Sequence, residues 1–87
     1  MYTYVLYRYW DTPDNEGTEI MGAYFDQENA TADMRADADA TKVHYAPDYW
    51  EDDMTWEDEC EIHLGRNSNG EGLATIYCWK VEKVEVQ

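Results

Sequence analysis

Positively charged residues are scarce in this sequence compared with negatively charged ones. Six Lys and Arg residues stand against twenty Asp and Glu residues, which gives a formal net charge of −14 over 87 residues. The phosphates of nucleic acids and anionic lipid headgroups both repel a chain of this charge. The few cations are scattered along the sequence and form no basic stripe of the kind that nucleic-acid-binding proteins carry. Direct binding to DNA, RNA or a membrane surface is therefore not expected.

Long apolar runs are also missing from the sequence. No stretch approaches the roughly 20 apolar residues that a helix needs to cross a bilayer. The N-terminus MYTYVLYRYW alternates between residue types, whereas a signal peptide has a positively charged region followed by an apolar run. With only two Cys and no export signal, the chain is expected in a reducing compartment, the cytoplasm.

Motifs that carry catalysis or metal binding are absent as well. The sequence contains no glycine-rich phosphate loop, no nucleophile elbow and no Cys–His signature. Its two Cys and two His lack the spacing of a zinc site. Asp11, Asp14 and Glu16 lie close to Gly17 but lack the ligand alternation of a calcium loop. We therefore predict a protein that is not an enzyme, with no catalytic residue, no metal and no cofactor.

The sequence contains enough bulky apolar residues to form a core. Hydrophobic residues make up 44% of it and aromatic residues 15%, including eight Tyr and four Trp. Bulky apolar side chains in this proportion drive collapse and separate the chain from a disordered acidic tail. Given its length, we expect residues 1–87 to form a single domain with a small core.

The first half of the chain predicts a hairpin followed by a helix. Residues 2–10 alternate with period two, so Val5, Tyr7 and Tyr9 share one face of a strand and Leu6 lies on the other. Turn residues occupy 11–17, and a second strand is predicted over 18–25. Asp26 is a good N-cap for a helix from Gln27 to about Tyr45, and Pro47 lies just beyond its end.

The second half predicts two more strands. Residues 48–58 are either an ordered loop or a short helix pinned by its aromatic residues. Alternation then predicts a strand around Ile62, a tight turn at Asn69-Gly70 and a last strand over 73–86, with a bulge or bend near Val81. The predicted fold is α+β with the order β-β-α-β-β, in which one helix packs on a four-stranded antiparallel sheet.

Two hypotheses are open for the role of the two cysteines. A hairpin centred near Asn69 pairs residues whose numbers sum to about 138, which sets Cys60 opposite Cys78 on one face. The pair is then either a disulfide or redox switch, or two small hydrophobic residues of the core. A reducing compartment favours the second reading.

Negative charge is concentrated between Asp48 and Glu61, where eight carboxylates occur with no Lys or Arg. This run either serves solubility alone or forms an array that docks on a basic surface. Trp50 and Trp56 stand among the acids and either hold the segment to the sheet or act as exposed contacts. Asp33 and Asp37 extend the charge onto the helix. The candidate partner-binding residues are Asp33, Asp37, Asp48, Trp50, Glu51, Asp52, Asp53, Trp56, Glu57 and Asp58.

In size, acidity and predicted element order, the chain resembles the small acidic proteins that phages encode against host defences, including DNA-mimicking anti-CRISPR proteins. The resemblance is carried by the hairpin segment GRNSNGEGLATIYCWKVE and by the acids Asp48, Glu51, Asp52, Asp53, Glu57, Asp58, Glu59 and Glu61. It implies a stoichiometric inhibitor in the bacterial cytoplasm. Its partner would be a basic protein, a nucleic-acid-processing enzyme such as a CRISPR nuclease.

A second hypothesis assigns the acidity to solubility only. The chain would then be a structural or accessory phage protein that forms a homodimer through an aromatic sheet face or an edge strand. Tyr2, Tyr4 and Trp10 are the residues expected to hold such a dimer together.

Overall fold

The computed structural model describes residues 1–67 and 74–87. It contains one α-helix, one 3-10 turn and a sheet in the order β2-β1-β5-β4-β3, with every neighbouring pair antiparallel. The α+β class with one helix and an antiparallel sheet is confirmed, but the sheet has five strands instead of four. The elements are β1 (Tyr2–Asp11), β2 (Glu16–Tyr24), α1 (Gln27–Lys42), the 3-10 turn (Asp52–Met54), β3 (Trp56–Glu57), β4 (Glu61–Asn67) and β5 (Ala74–Glu85).

The strand that the sequence did not predict is β3. It is two residues long, and Trp56 pairs with His63 while Glu57 pairs with Ile62 of β4. Two residues are too few to show an alternating pattern, so this strand has no signal of its own in the sequence. The predicted order β-β-α-β-β is therefore incomplete at the place where the acidic run enters the sheet.

The helix begins where its cap predicts. The backbone N–H of Asn29 donates to Asp26 Oδ1 over 2.8 Å. Ala30, Met34 and Ala38 repeat every fourth residue on the buried face, and the two alanines allow the helix to approach the sheet closely. The helix ends at Lys42, three residues before the predicted Tyr45. Within the described residues, no helix is both long and apolar enough to pass through a membrane.

The core lies between α1 and one face of the sheet. The strands contribute Leu6, Ile62, Leu64, Trp79 and Val81 to it. Register places Val5, Tyr7 and Tyr9 on the opposite face, as the alternation of β1 predicts. No described helix or strand covers this opposite face, which we call the open face, and only the 3-10 turn crosses it, at Gly65. Within the described residues, α1 therefore packs on one side of the sheet only.

The β-bulge of the sheet lies in β2 and not near Val81 of β5, where the sequence predicts a bulge or bend. β5 pairs with β1 without a shift from Tyr2 and Glu85 to Asp11 and Ile76, so Val81 marks no bulge. The register shifts instead in β2, where Met21 is the additional residue. The extra residue lets Met21 pack against the core and leaves Ile20 on the open face, 75% exposed.

The predicted pairing of the cysteines is wrong. Residues that pair between β4 and β5 have numbers that sum to 141, so Cys78 lies opposite His63. The N–H of Val81 donates to the carbonyl of Cys60. This slip of three residues from the predicted register is odd, and an odd slip moves a side chain to the other face. Cys60 packs against the core while Cys78 lies on the open face, and both are free. The predicted Asn69-Gly70 turn lies outside the described residues.

We expect no disulfide between Cys60 and Cys78 within one chain. They lie on opposite faces of the sheet, and burial raises the pKa of both thiols, so the reactive thiolate is scarce at neutral pH. The native protein should keep both thiols after mild oxidation, as measured by alkylation and mass spectrometry. The unfolded protein in guanidinium serves as the control and should react readily. An intrachain bridge in the native protein would contradict this register.

Candidate partner-binding surface

The acidic segment, residues 48–61, is fastened to β4 by its backbone. The N–H of Glu51 donates to the carbonyl of Gly65 over 3.0 Å, and the N–H of Asn67 donates to Glu51 Oε2 over 3.1 Å. Farther along, the ring Nδ1 of His63 lies 2.7 Å from the carbonyl oxygen of Met54. Because the Met54 carbonyl can only accept, Nδ1 carries the proton. The segment is thus an ordered part of the fold, held at both ends of its 3-10 turn.

Gly65 makes the close approach of this turn possible. A Cβ atom at this position would lie 2.8 Å from the carbonyl oxygen of Met54 and 2.9 Å from the Met54 Cβ. Real Cβ atoms do not come so near to a backbone atom, so the turn would have to move. Glycine is required here because the acidic segment passes directly over the strand.

Trp50 anchors the acidic segment to the sheet. Its ring lies 4.9 Å from those of Tyr45 and Tyr49 and 6.0 Å from that of Tyr77, each in an edge-to-face arrangement. Such aromatic pairs contribute about 0.5–1.5 kcal/mol each beyond the area they bury. The Tyr45 and Tyr77 hydroxyls lie 3.0 Å apart and join the residues after the helix to β5. This packing supports the hypothesis that Trp50 holds the acidic segment to the sheet.

Trp56 has the opposite environment. It is 48% exposed, and its ring stacks on that of His63 with centroids 4.0 Å apart and planes 3° from parallel. The stack supports one side of the indole and leaves the other side to solvent. This exposure supports the hypothesis that Trp56 is a contact residue for a partner beside the acids.

Six carboxylates of the segment are exposed, and we call them the acidic platform: Asp48, Asp52, Asp53, Glu57, Asp58 and Glu59. Three have partners in the chain, since Arg35 Nε lies 3.2 Å from Glu57, Asp58 accepts the N–H of Cys60, and Glu59 accepts from Gln27. The acidic segment contains no Lys or Arg of its own. The helix α1 places one cation, Arg35, beside it. Six carboxylates and one guanidinium leave a local charge of −5.

The two predicted helix acids lie in different surroundings. Asp33 is exposed and accepts from the hydroxyl of Tyr24 over 2.6 Å. Asp37 faces the sheet with its side chain 26% exposed, and accepts from Trp79 Nε1 over 2.6 Å and from Arg8 Nη1 over 3.0 Å. Its carboxylate is committed to the interior of the fold. No local pattern indicates this role, because Arg8 and Trp79 meet Asp37 only once the sheet has formed.

A cleft of about 490 Å³ lies at the C-terminal end of α1. Its lining includes Trp10, His44 and Tyr77, with Arg8 and Asp37 already bonded to each other. Arg8 and Asp37 are therefore engaged with each other, and the exposed Asp14 also lines the cleft. Among the described residues, no group of three or more His, Cys, Asp or Glu side chains is arranged to hold a metal ion.

Replacing Gly65 by Ala should displace the acidic segment and destabilise the fold. The new methyl group meets the Met54 backbone, and overpacking of this kind costs about 1–3 kcal/mol. Urea unfolding measures the loss of stability, and the Trp fluorescence spectrum reports the movement of the segment. Asn67→Ala is the matched control, because Asn67 is exposed on the same strand. Equal midpoints for the two variants would show that the segment does not pass so close to β4.

Alkaline pH should weaken the contact between β2 and α1 at Tyr24. The hydrogen bond to the Asp33 carboxylate, together with burial, raises the pKa of Tyr24 to about 12. A phenol with a raised folded-state pKa contributes stability that is present below pH 10 and lost as the pH rises towards 12. In Asp33→Asn the pKa should fall towards 10, as measured by NMR titration of the Tyr ring carbons. An unchanged titration curve would contradict the Tyr24–Asp33 bond.

Comparison with known proteins gives no match. No protein-family model matches the chain, and neither a curated protein nor a solved structure matches it. The function proposed below therefore rests on the geometry and charge of the acidic platform and Trp56.

Proposed function

We propose that this protein is a non-enzymatic inhibitor that binds a basic, nucleic-acid-binding surface of a partner through the acidic platform and Trp56. The observation that supports it is the attachment of the acidic segment to β4 at Glu51, Met54 and Gly65. A run of acids that served solubility alone would not need a fixed position. Here the backbone that carries the acids is held by hydrogen bonds and by a glycine contact.

The platform is suited to long-range attraction of a cationic groove. Asp48, Asp52 and Asp53 are exposed. Among the described residues, no side chain or backbone group donates a hydrogen bond to their carboxylates. Fixed charges of one sign accelerate association with a surface of the other sign, and salt screens the effect over a length of about 10 Å at 0.1 M ionic strength. Binding is therefore expected to weaken as salt is added.

The helix extends the same negative surface. Gln27 donates to Glu59 and Arg35 bonds Glu57, so the acidic segment lies alongside α1. Glu28 is exposed on that helix, whereas Asp33 bonds Tyr24 of β2, at the opposite edge of the sheet from β3. A strip of carboxylates across two adjoining elements resembles the backbone charge of a nucleic acid strand more closely than a single loop does.

Trp56 supplies the apolar contact that charge alone lacks. Exposed Trp residues within polar surroundings are over-represented among the residues that carry binding energy. The stack on His63 fixes the indole before a partner arrives, so little side-chain entropy remains to be lost. Trp50, by contrast, stays within the protein as support for the segment.

The partner class follows from this chemistry and from the resemblance to phage anti-defence proteins. A cleft lined by Lys and Arg that normally holds nucleic acid is complementary to the platform. Such clefts occur in nucleic-acid-processing enzymes, and a CRISPR nuclease of the bacterial host is the specific proposal. Cytoplasmic location and phage origin belong to the same proposal.

Removal of the two central charges tests the proposal. Asp52→Asn/Asp53→Asn should raise the concentration that half-inhibits target-DNA binding by a guide-loaded CRISPR nuclease by about tenfold, since a charge-assisted contact contributes about 1.5–3 kcal/mol. It should also make inhibition less sensitive to salt. The matched control is Asp14→Asn/Glu85→Gln, which removes the same charge from exposed acids outside the platform.

Two results would reject the function as proposed. If both double variants inhibit like the unmodified protein, the acidic platform is not the binding surface. If the unmodified protein has no effect on DNA binding, and affinity capture from bacterial lysate at low salt retains no nucleic-acid-processing enzyme, the partner class is wrong.

A further inference from the structure

Away from the crossing of the 3-10 turn at Gly65, the open face carries apolar side chains that no described helix or strand covers. Its centre is formed by β1 and β5, where antiparallel register places side chains of directly paired residues on one face. Ile20, Trp56 and Val84 on this face are among the large hydrophobic residues that are strongly exposed, at 75%, 48% and 39%. The other apolar members are Val5, Tyr7, Tyr9, Ile76 and Cys78.

Charge on the open face differs from that of the rest of the protein. Lys80 is an exposed cation at the centre of the face. Glu61 pairs with Lys80 across the strands and Glu82 follows two residues later on the same face. Within the described residues, Lys80 forms no ion pair with either acid, since the three ion pairs found there involve only Arg8 and Arg35. The face thus presents a cation and an anion side by side, both available to a partner.

We infer that the open face binds a second copy of this chain. In a two-fold packing of two open faces, residue 80 of one copy can lie opposite residue 82 of the other, so that Lys80 and Glu82 form two reciprocal ion pairs. A chain of net charge −14 repels its own copy wherever carboxylates meet. The open face is the surface on which the apolar side chains and the opposite charges of two copies coincide.

Other routes to self-association are less favourable. Tyr4 and Trp10, which the sequence suggested for a dimer, lie on the same side of β1 as the buried Leu6 and face the helix. The free edge of β2 carries the exposed acids Glu16 and Glu19 and contains the Met21 bulge, and both features oppose strand addition. A basic partner would meet the like charge of Lys80 at the centre of this face.

The size of the face predicts a weak dimer. Ten paired positions of β1 and β5 span roughly 30 Å, and three strand spacings add roughly 14 Å of width. A footprint of this size belongs to the low end of specific interfaces, below about 1,200 Å² of total buried area. The dimer should therefore form and dissociate with protein concentration in the micromolar to millimolar range.

Sedimentation equilibrium at several salt concentrations tests the inference. Dimerisation should strengthen as salt increases, because salt screens the repulsion between two anionic bodies. Ile20→Asn should weaken the dimer by about tenfold or more, since burying an aliphatic side chain contributes at least about 1.5 kcal/mol. Val43→Asn is the matched control, because Val43, the residue that follows α1, has a similar exposed fraction of 80%. Its dimer constant should not change.

Charge reversal identifies the interface without changing apolar contacts. Lys80→Glu and Glu82→Lys should each weaken self-association, because each places like charges opposite one another. A mixture of the two variants should form a heterodimer more readily than either variant forms a homodimer. The double variant, with the two charges exchanged, should regain the original constant.

A monomer at all concentrations up to about 1 mM, the weakest affinity considered for specific binding, would overturn the inference. So would a dimer that Val43→Asn disrupts as much as Ile20→Asn, or a mixture of charge variants that stays monomeric. The result is independent of the inhibitor proposal. Salt should strengthen the dimer and weaken binding to a basic partner, so each can fail while the other stands.

Discussion

The position of α1 on the sheet depends on the carboxylate of Asp37. It accepts hydrogen bonds from Trp79 Nε1 and from Arg8 Nη1, and Trp79 is the largest fully buried side chain of the core. Without this acceptor, the buried indole N–H of Trp79 would be left unsatisfied, which costs about 1–3 kcal/mol, and Arg8 would keep only its ion pair with Glu19. Because Asp37 fixes the helix, it also fixes the places where Arg35 and Gln27 meet the acidic segment. The outer surface is thus positioned by an inner ion pair.

The acids of this chain serve two physical purposes that composition cannot separate. Asp26 caps the helix, Asp58 accepts a backbone N–H in the turn before β4, and Glu51 accepts from Asn67. These carboxylates satisfy donors that would otherwise lack partners. Asp52 and Asp53 satisfy none among the described residues and are the ones free to act outward. A net charge of −14 therefore overstates the charge available to a partner, and the position of each acid decides its role.

The sequence predicted those features that arise from local patterns. The alternation of β1 placed Val5, Tyr7 and Tyr9 together, and the N-cap at Asp26 defined the start of the helix. Features that depend on contacts distant in sequence were not predictable in this way.

Strand register is one such feature, and it is why Cys60 and Cys78 were set opposite each other when they lie on different faces. β3 is another, because two residues become a strand only where β4 lies beside them. Trp50 and Trp56 have similar neighbours in sequence. Only the tertiary structure separates them, since Trp50 meets three tyrosines and Trp56 meets His63.

The two proposed surfaces adjoin each other at Trp56. This residue belongs to β3, which also carries Glu57 of the acidic platform, and its partner His63 pairs with Cys78 on the open face. A basic partner that covers the indole would also remove part of the area on which a second copy packs. Two ligands that need the same residue compete by mass action, so tight partner binding would favour the monomer. A weak dimer is compatible with an inhibitor on these terms, because the energy needed to separate the copies is small compared with that of a charge-steered complex.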